Sequence, residues 1–237
     1  MSQPFKFKQF TLHQDRCAMK VGTDGVLLGA WAGIENEPST ILDIGAGTGL
    51  IALMLAQRTN AETIDALEID DTGYEQCVEN FEASPWGDRL FCYHASLGEF
   101  AEEMDDTYEL IVSNPPFYVE NVPTGNRSRD RARQNLSLPF DELLHHTADL
   151  LAPHGRLSLI VPHKAEGMLL ATAKELGLFP QRLTRVKGNP TSKFKRSLME
   201  FGFPEMEISF DELTIEMNRH QYTSEYRELT RDFYLKM

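Results

Sequence analysis

Ile41-Leu42-Asp43-Ile44-Gly45-Ala46-Gly47-Thr48-Gly49-Leu50 decides the fold. The first four residues form a short apolar run that glycines cut off, and Leu50 to Gln57 then carries apolar residues on most faces, as a buried helix does. Strand, tight turn and helix follow one another within a few residues. Outward from this unit the alternation continues, with strands expected at Ile64 to Glu68, Phe91 to His94, Glu109 to Ser113 and Arg156 to Val161. Helices are expected at Thr72 to Phe81, at Phe140 to Leu151 and at Ala165 to Leu176, the last stopped by Gly177. Strands alternating with helices make an α/β fold, a doubly wound and mostly parallel sheet covered on both faces.

Past Gly177 the pattern changes. Gln181 to Lys187 and Ser197 to Phe203 read as strands with no helix between them, and Gly188 to Ser192 is turn chemistry, so an antiparallel terminal hairpin is expected at the end of the sheet. Tyr222 to Phe233 predicts a C-terminal helix that docks through Tyr226, Leu229 and Phe233. No repeat or low-complexity linker interrupts the chain, so residues 1–237 read as a single domain, with 1–36 an N-terminal segment and 37–237 the core.

The composition agrees. A chain of 237 residues with 41% hydrophobic and 25% charged residues is an ordinary globular protein, long enough for a substantial core. Its formal charge of -13 argues against a surface coated for nonspecific nucleic-acid binding, though not against local basic patches. Cys17, Cys77 and Cys92 form no CxxC pair, which indicates neither a disulfide framework nor a zinc site and fits a reducing compartment. The first sixteen residues hold no signal-like apolar stretch, and no segment reaches the roughly 18 to 20 apolar residues of a membrane span. A soluble, cytoplasmic protein is expected.

At the carboxyl end of a strand, glycines let the backbone turn tightly and approach a ligand. A dinucleotide fingerprint would read G-x-G-x-x-G, whereas here the third glycine comes one place early and Leu50 holds the position it would occupy. Asp43, two residues before the first glycine, would repel a pyrophosphate and suit a cationic or hydroxyl-bearing ligand, which a sulfonium cofactor matches. Glu68 stands near the ~20-residue offset at which an acid meets ribose hydroxyls in such folds. An ordinary strand-to-helix turn with an exposed Glu68 is the alternative.

Ser113-Asn114-Pro115-Pro116-Phe117 ends the fourth predicted strand and so falls on the same rim. The prolines stiffen the loop. The Asn114 side-chain oxygen and the Pro115 carbonyl can accept both hydrogens of a planar NH2 group, localising a lone pair that conjugation would otherwise spread into the ring. Phe117 offers a face on which an extruded base could stack. Methyl transfer from a sulfonium to an amino group so held needs mostly alignment and electrostatic preorganisation, and requires no metal and no strong base. His145 and His146 are adjacent and no HExxH occurs, so the histidines read as surface or core residues.

Asp43 to Gly49 together with Asn114 to Phe117 resembles the class I S-adenosyl-L-methionine-dependent methyltransferases acting on amides and exocyclic amines. Phe7 to Phe10, Asp15 to Trp31, Arg196 to Leu198 and Tyr222 to Leu235 narrow the resemblance to the bacterial tRNA1(Val) adenine-37 N6-methyltransferases, over nearly the whole chain. The resemblance implies a seven-stranded Rossmann-like sheet, S-adenosyl-L-methionine as donor and N6-methylation of the adenosine beside the anticodon of a valine tRNA. It assigns Asp43, Gly45, Gly47, Gly49 and Glu68 to the cofactor, and Asn114, Pro115, Pro116 and Phe117 to catalysis. Lys20, Thr23 and Asp24 match the motif before the first strand, where Thr23 or Asp24 would cap a helix facing the methionine carboxylate. Two residues depart from the family pattern: Phe117 replaces the usual Tyr, and Ser96 stands where an Asp often meets the cofactor's adenine.

Two basic runs complete the site. Arg127, Arg129, Arg131 and Arg133 follow the catalytic loop, and Lys187, Lys193, Lys195 and Arg196, with Arg185, surround the terminal hairpin without acids. They suit tRNA phosphates, solvated loops being the alternative. Three rivals differ in class or substrate: a protein-glutamine N5-methyltransferase, whose substrate offers a similar NH2; a nucleotide-dependent oxidoreductase, disfavoured by the glycine spacing; and a noncatalytic RNA-binding module. No membrane and no obligate protein partner are expected.

Overall fold

The computed structural model describes residues 3–17, 20–116 and 138–236. Twelve strands and seven α-helices occur among them. Two short strands, β1 (Phe5–Lys6) and β2 (Thr11–Leu12), precede helix α1 (Thr23–Trp31). Then come β3 (Thr40–Ile44), α2 (Leu50–Arg58), β4 (Thr63–Leu67), α3 (Asp71–Glu82), β5 (Leu90–Tyr93), α4 (Leu97–Glu103) and β6 (Tyr108–Ser113). Helix α5 (Phe140–Leu150) leads to β7 (Leu151–Pro162), α6 (Glu166–Glu175), β8 (Phe179–Lys187) and β9 (Arg196–Gly202). The chain closes with β10 (Ser209–Thr214), β11 (Glu216–Asn218), β12 (Gln221–Tyr222) and α7 (Ser224–Thr230).

The central sheet has eight strands in the order β10-β8-β9-β7-β6-β3-β4-β5. Strands β3 to β7 pair in parallel, and β9 inserts antiparallel between β7 and β8, as the hairpin expectation required. Strand β10 corrects the expected number of seven: it pairs in parallel with β8 and forms the edge. Four of its six residues are exposed, so it presents no apolar alternation from which a strand could be read. Backbone pairing with β8 places it, and Leu213 is its single buried anchor in the core.

Alternate residues along each strand feed two cores. One packs α1, α2, α3, α7 and the N-terminal segment on one face of the sheet; the other packs α4, α5 and α6 on the opposite face. Helix α1 is apolar nearly all round from Gly25 to Trp31, the part that lies inside the first core. It comes so close to α2 that a Cβ on Gly29 would stand 2.8 Å from Met54 Sδ. The last helix is shorter than expected. The Thr223 hydroxyl accepts the Tyr226 N–H at 3.2 Å and fixes its start, while buried Tyr226 and Phe233 anchor it beside Phe7, which bridges to Tyr234.

Candidate active site

The glycine turn and the Asn-Pro-Pro loop meet in one cavity. β3 and β6 are neighbours with Ile44 opposite Ser113, so the segments leaving their carboxyl ends emerge side by side. The cavity holds about 520 Å³ and is lined by Gly45 to Thr48, Lys20 to Gly25, Asn114 to Pro116 and Arg196, with Leu50 and Ile51 behind. Gly45, Gly47 and Gly49 take φ of +75°, +58° and +78°, a region L side chains avoid. Added Cβ atoms on Gly45 and Gly47 would meet nothing within 4 Å, whereas one on Gly49 would lie 2.5 Å from Phe81 Cε1. The first two glycines therefore leave room for a ligand, and the third lets α3 pack beneath the turn.

Polar groups around the cavity divide into satisfied and unsatisfied ones. Both Glu68 oxygens hold backbone, accepting from Gly47 N–H at 2.7 Å and from Asp70 N–H at 2.9 Å. Buried Asn80 spans the N-terminal segment and the turn: its amide donates to His13 O and Thr48 O, and its oxygen accepts the His13 N–H, each at 2.9 Å. By contrast Asn114 Oδ1 is buried with no hydrogen-bond partner among the described residues. A buried unpaired acceptor costs about 1 to 3 kcal/mol, so an oxygen held this way is poised for a ligand's hydrogen.

The profile of the Methyltransferase small domain matches residues 32–175. Along its whole length the chain is 59% identical to the tRNA1(Val) (adenine(37)-N6)-methyltransferase of Christiangramia forsetii, covering 99% of that protein. A Flavobacterium johnsoniae protein of the same name is 60% identical over 98% of this chain and 100% of its own length. The chain belongs to the tRNA1(Val) (adenine(37)-N6)-methyltransferase family. It is an enzyme of the methyltransferase class, and the fold agrees: a predicted O-methyltransferase from Agrobacterium tumefaciens superposes with a TM-score of 0.68 at 18% identity, over 89% of this chain and 96% of that one.

Within this methyltransferase several expected site residues stand elsewhere than the sequence reading put them. Asp43 is fully buried, off the cavity wall. Its Oδ2 accepts Ala52 N–H from α2 at 3.1 Å, its Oδ1 has no partner among the described residues, and burial pushes its pKa up to about 7. Asp43 therefore sits beneath the turn, bonded to the first turn of α2. Neither Thr23 nor Asp24 caps α1. Gly22 is the N-cap without a side-chain bond, and Asp24 is drawn instead to Arg196 Nε at 2.8 Å. The start of α1 thus lines the cavity with helix donors that no side chain satisfies. Ser96 is committed to a capping box with Glu99 at the head of α4, which occupies its hydroxyl.

Arg196, assigned to RNA by its basic neighbours, lies in the cavity wall and pairs with Asp24. No sequence spacing joins residues 172 apart. Lys187 lies 3.4 Å from Glu212, while Lys193 and Lys195 are exposed. Phe117, Arg127, Arg129, Arg131 and Arg133 lie outside the described residues. Asn80 went unread because nothing in its own helix marks it: its partners, His13 and Thr48, come from other segments.

Proposed function

We propose that this enzyme transfers a methyl group from S-adenosyl-L-methionine to the exocyclic N6 of adenosine 37 in the anticodon loop of tRNA1(Val), one domain of residues 1–237 carrying the reaction. The observation that carries this reading is the single cavity shared by the glycine turn and Asn114 to Pro116, with Asn114 in its wall carrying a buried oxygen that has no partner among the described residues. The donor set fits the cofactor. Gly45 and Gly47 give open backbone, the uncapped start of α1 with Lys20 and Thr23 suits a carboxylate, and the second lone pairs of the Glu68 oxygens suit ribose hydroxyls. When bound, the cofactor supplies an electrophilic methyl on a sulfonium.

The chain's own residues prepare the nucleophile. Asn114 Oδ1 and the Pro115 carbonyl accept the two N6 hydrogens, holding the amino group so that its lone pair is free to attack. Pro115 and Pro116 keep both acceptors in place. No side-chain base is needed, because the nitrogen sheds its surplus proton to water after transfer. Stacking of the adenine is given to Phe117, and phosphate contacts to Arg127, Arg129, Arg131 and Arg133, on the sequence pattern alone. The compartment that goes with a tRNA substrate is the cytoplasm.

The test is incubation with isotopically labelled S-adenosyl-L-methionine and total tRNA, followed by nucleoside analysis. Label in N6-methyladenosine at position 37 of tRNA1(Val) is expected. Label appearing instead on a glutamine of a release-factor peptide, or on no tRNA at all, would overturn the assignment.

A further inference from the structure

Between residues 181 and 199 the chain carries six Lys or Arg and no Asp or Glu, in a protein whose formal charge is -13. Folding neutralises four of these cations: Arg182 meets Glu200, Arg185 meets Glu166, Lys187 meets Glu212 and Arg196 meets Asp24. Lys193 and Lys195 are left. Both are exposed, and neither ammonium has an acidic partner among the described residues. The residue between them is aromatic. Phe194 is half-buried, with the His163 ring edge-on at 5.6 Å and Lys187 Nζ 5.1 Å from its centroid.

The segment is held firmly. The Asn189 side-chain oxygen accepts from Thr191 N–H and Ser192 N–H, the Ser192 hydroxyl donates back to Asn189 O, and Lys195 N–H donates to Val186 O. His163 N–H donates to Lys195 O, tying the segment to the end of β7. Arg196, next in sequence, lines the active-site cavity with Asn114 and Pro115. Two residues of extended chain span at most ~7 Å, so the Phe194 backbone lies within that reach of a residue of the cavity wall.

A preorganised aromatic between two free cations has the composition of a single-stranded nucleic-acid contact: the ring stacks a base and the cations take the flanking phosphates. A duplex would hide the base faces; an unpaired loop offers them. We infer that Lys193-Phe194-Lys195 is a docking tooth on which an unpaired nucleotide neighbouring the target adenosine stacks, its phosphates lying on the two lysines. This rests on the RNA substrate proposed above and goes beyond it by naming the contact.

Steady-state kinetics with a tRNA1(Val) transcript test it. Phe194→Ala is expected to raise KM for tRNA roughly tenfold while kcat at saturating tRNA and KM for S-adenosyl-L-methionine stay within about twofold. Phe194→Trp should restore the wild-type KM and Phe194→Leu should not, since only a ring can stack. The double variant Lys193→Gln/Lys195→Gln alters exposed side chains alone and should lower the magnitude of the slope of log kcat/KM against log salt by about 1.4. A wild-type KM for tRNA in Phe194→Leu, or an unchanged salt slope in the double variant, would overturn the tooth. A wild-type enzyme that labels no tRNA would overturn the reaction itself, and the tooth with it.

Discussion

Asp43 and Glu200 are buried carboxylates in one row of the sheet, joined through Val112 and Ser158, and their surroundings are opposites. Glu200 receives the Gly33 N–H at 3.1 Å and the Ser158 hydroxyl at 3.2 Å, with Arg182 and Arg156 at 3.2 and 3.4 Å. Arg182 in turn lies over the Trp31 ring at 3.7 Å and donates to Trp31 O. Asp43 receives a single backbone N–H and leaves one oxygen bare among the described residues, as does Asn114 on the neighbouring loop. Glu200 is bonded from four sides, although Arg182 Nε beside it finds no partner among the described residues, and this node fixes how α1, β8 and β9 join; Asp43 and Asn114 are sparsely bonded where the glycine turn and the Asn-Pro-Pro loop meet. The contrast sets a densely bonded carboxylate that holds the scaffold against acceptors at the site with capacity to spare.

Breaking the Glu200 node should cost most in stability. Glu200→Ala leaves Gly33 N–H and Arg182 without their buried acceptor, while Arg156 keeps Glu35, and is expected to lower the unfolding free energy by about 3 kcal/mol in denaturant titration. Cofactor affinity of the fraction still folded should be retained. On the sparsely bonded side the loss should appear in rate. Asn114→Ala removes one of two acceptors and should reduce kcat by roughly 100- to 1,000-fold while the melting temperature hardly moves; a variant at wild-type kcat would remove Asn114 from the chemistry.

Asp43 sharpens the comparison through pH. Its folded pKa of about 7 stands above the ordinary 3.8, so across that window the folded protein retains a proton that the unfolded chain has released. The stability this provides is complete below about pH 4 and is lost as pH rises through about 7, a fall of a few kcal/mol. Asp43→Asn should flatten that part of the stability profile, and an unaltered profile would show the carboxyl to be well compensated after all. The smallest effect belongs to a remote cap. Thr223→Ala should cost about 1 kcal/mol through loss of the α7 N-cap, with kinetics unchanged.

The alternating strands and helices were legible because periodicity and glycine breaks are local: Ile41 to Leu50, the hairpin around Gly188 and the stop at Gly177 all stand close to where the residues put them. So was the coincidence of two loops on one rim, since β3 and β6 both end there. Strand β10 was illegible because four exposed side chains carry no pattern and its place comes from pairing with β8 and one buried residue, Leu213.

Sequence alone determined the doubly wound architecture, the glycine turn and the kind of amino-group chemistry that Asn114 and Pro115 permit, because each depends on residues within one short segment. Tertiary structure decided which charges remain available. It buried Asp43, spent Ser96 on a cap, moved Arg196 from the RNA surface to the cavity wall through Asp24, and left Lys193 and Lys195 free beside Phe194. Charge and hydrogen-bonding capacity are settled by partners that lie far apart along the chain, and spacing along the chain does not record those partners.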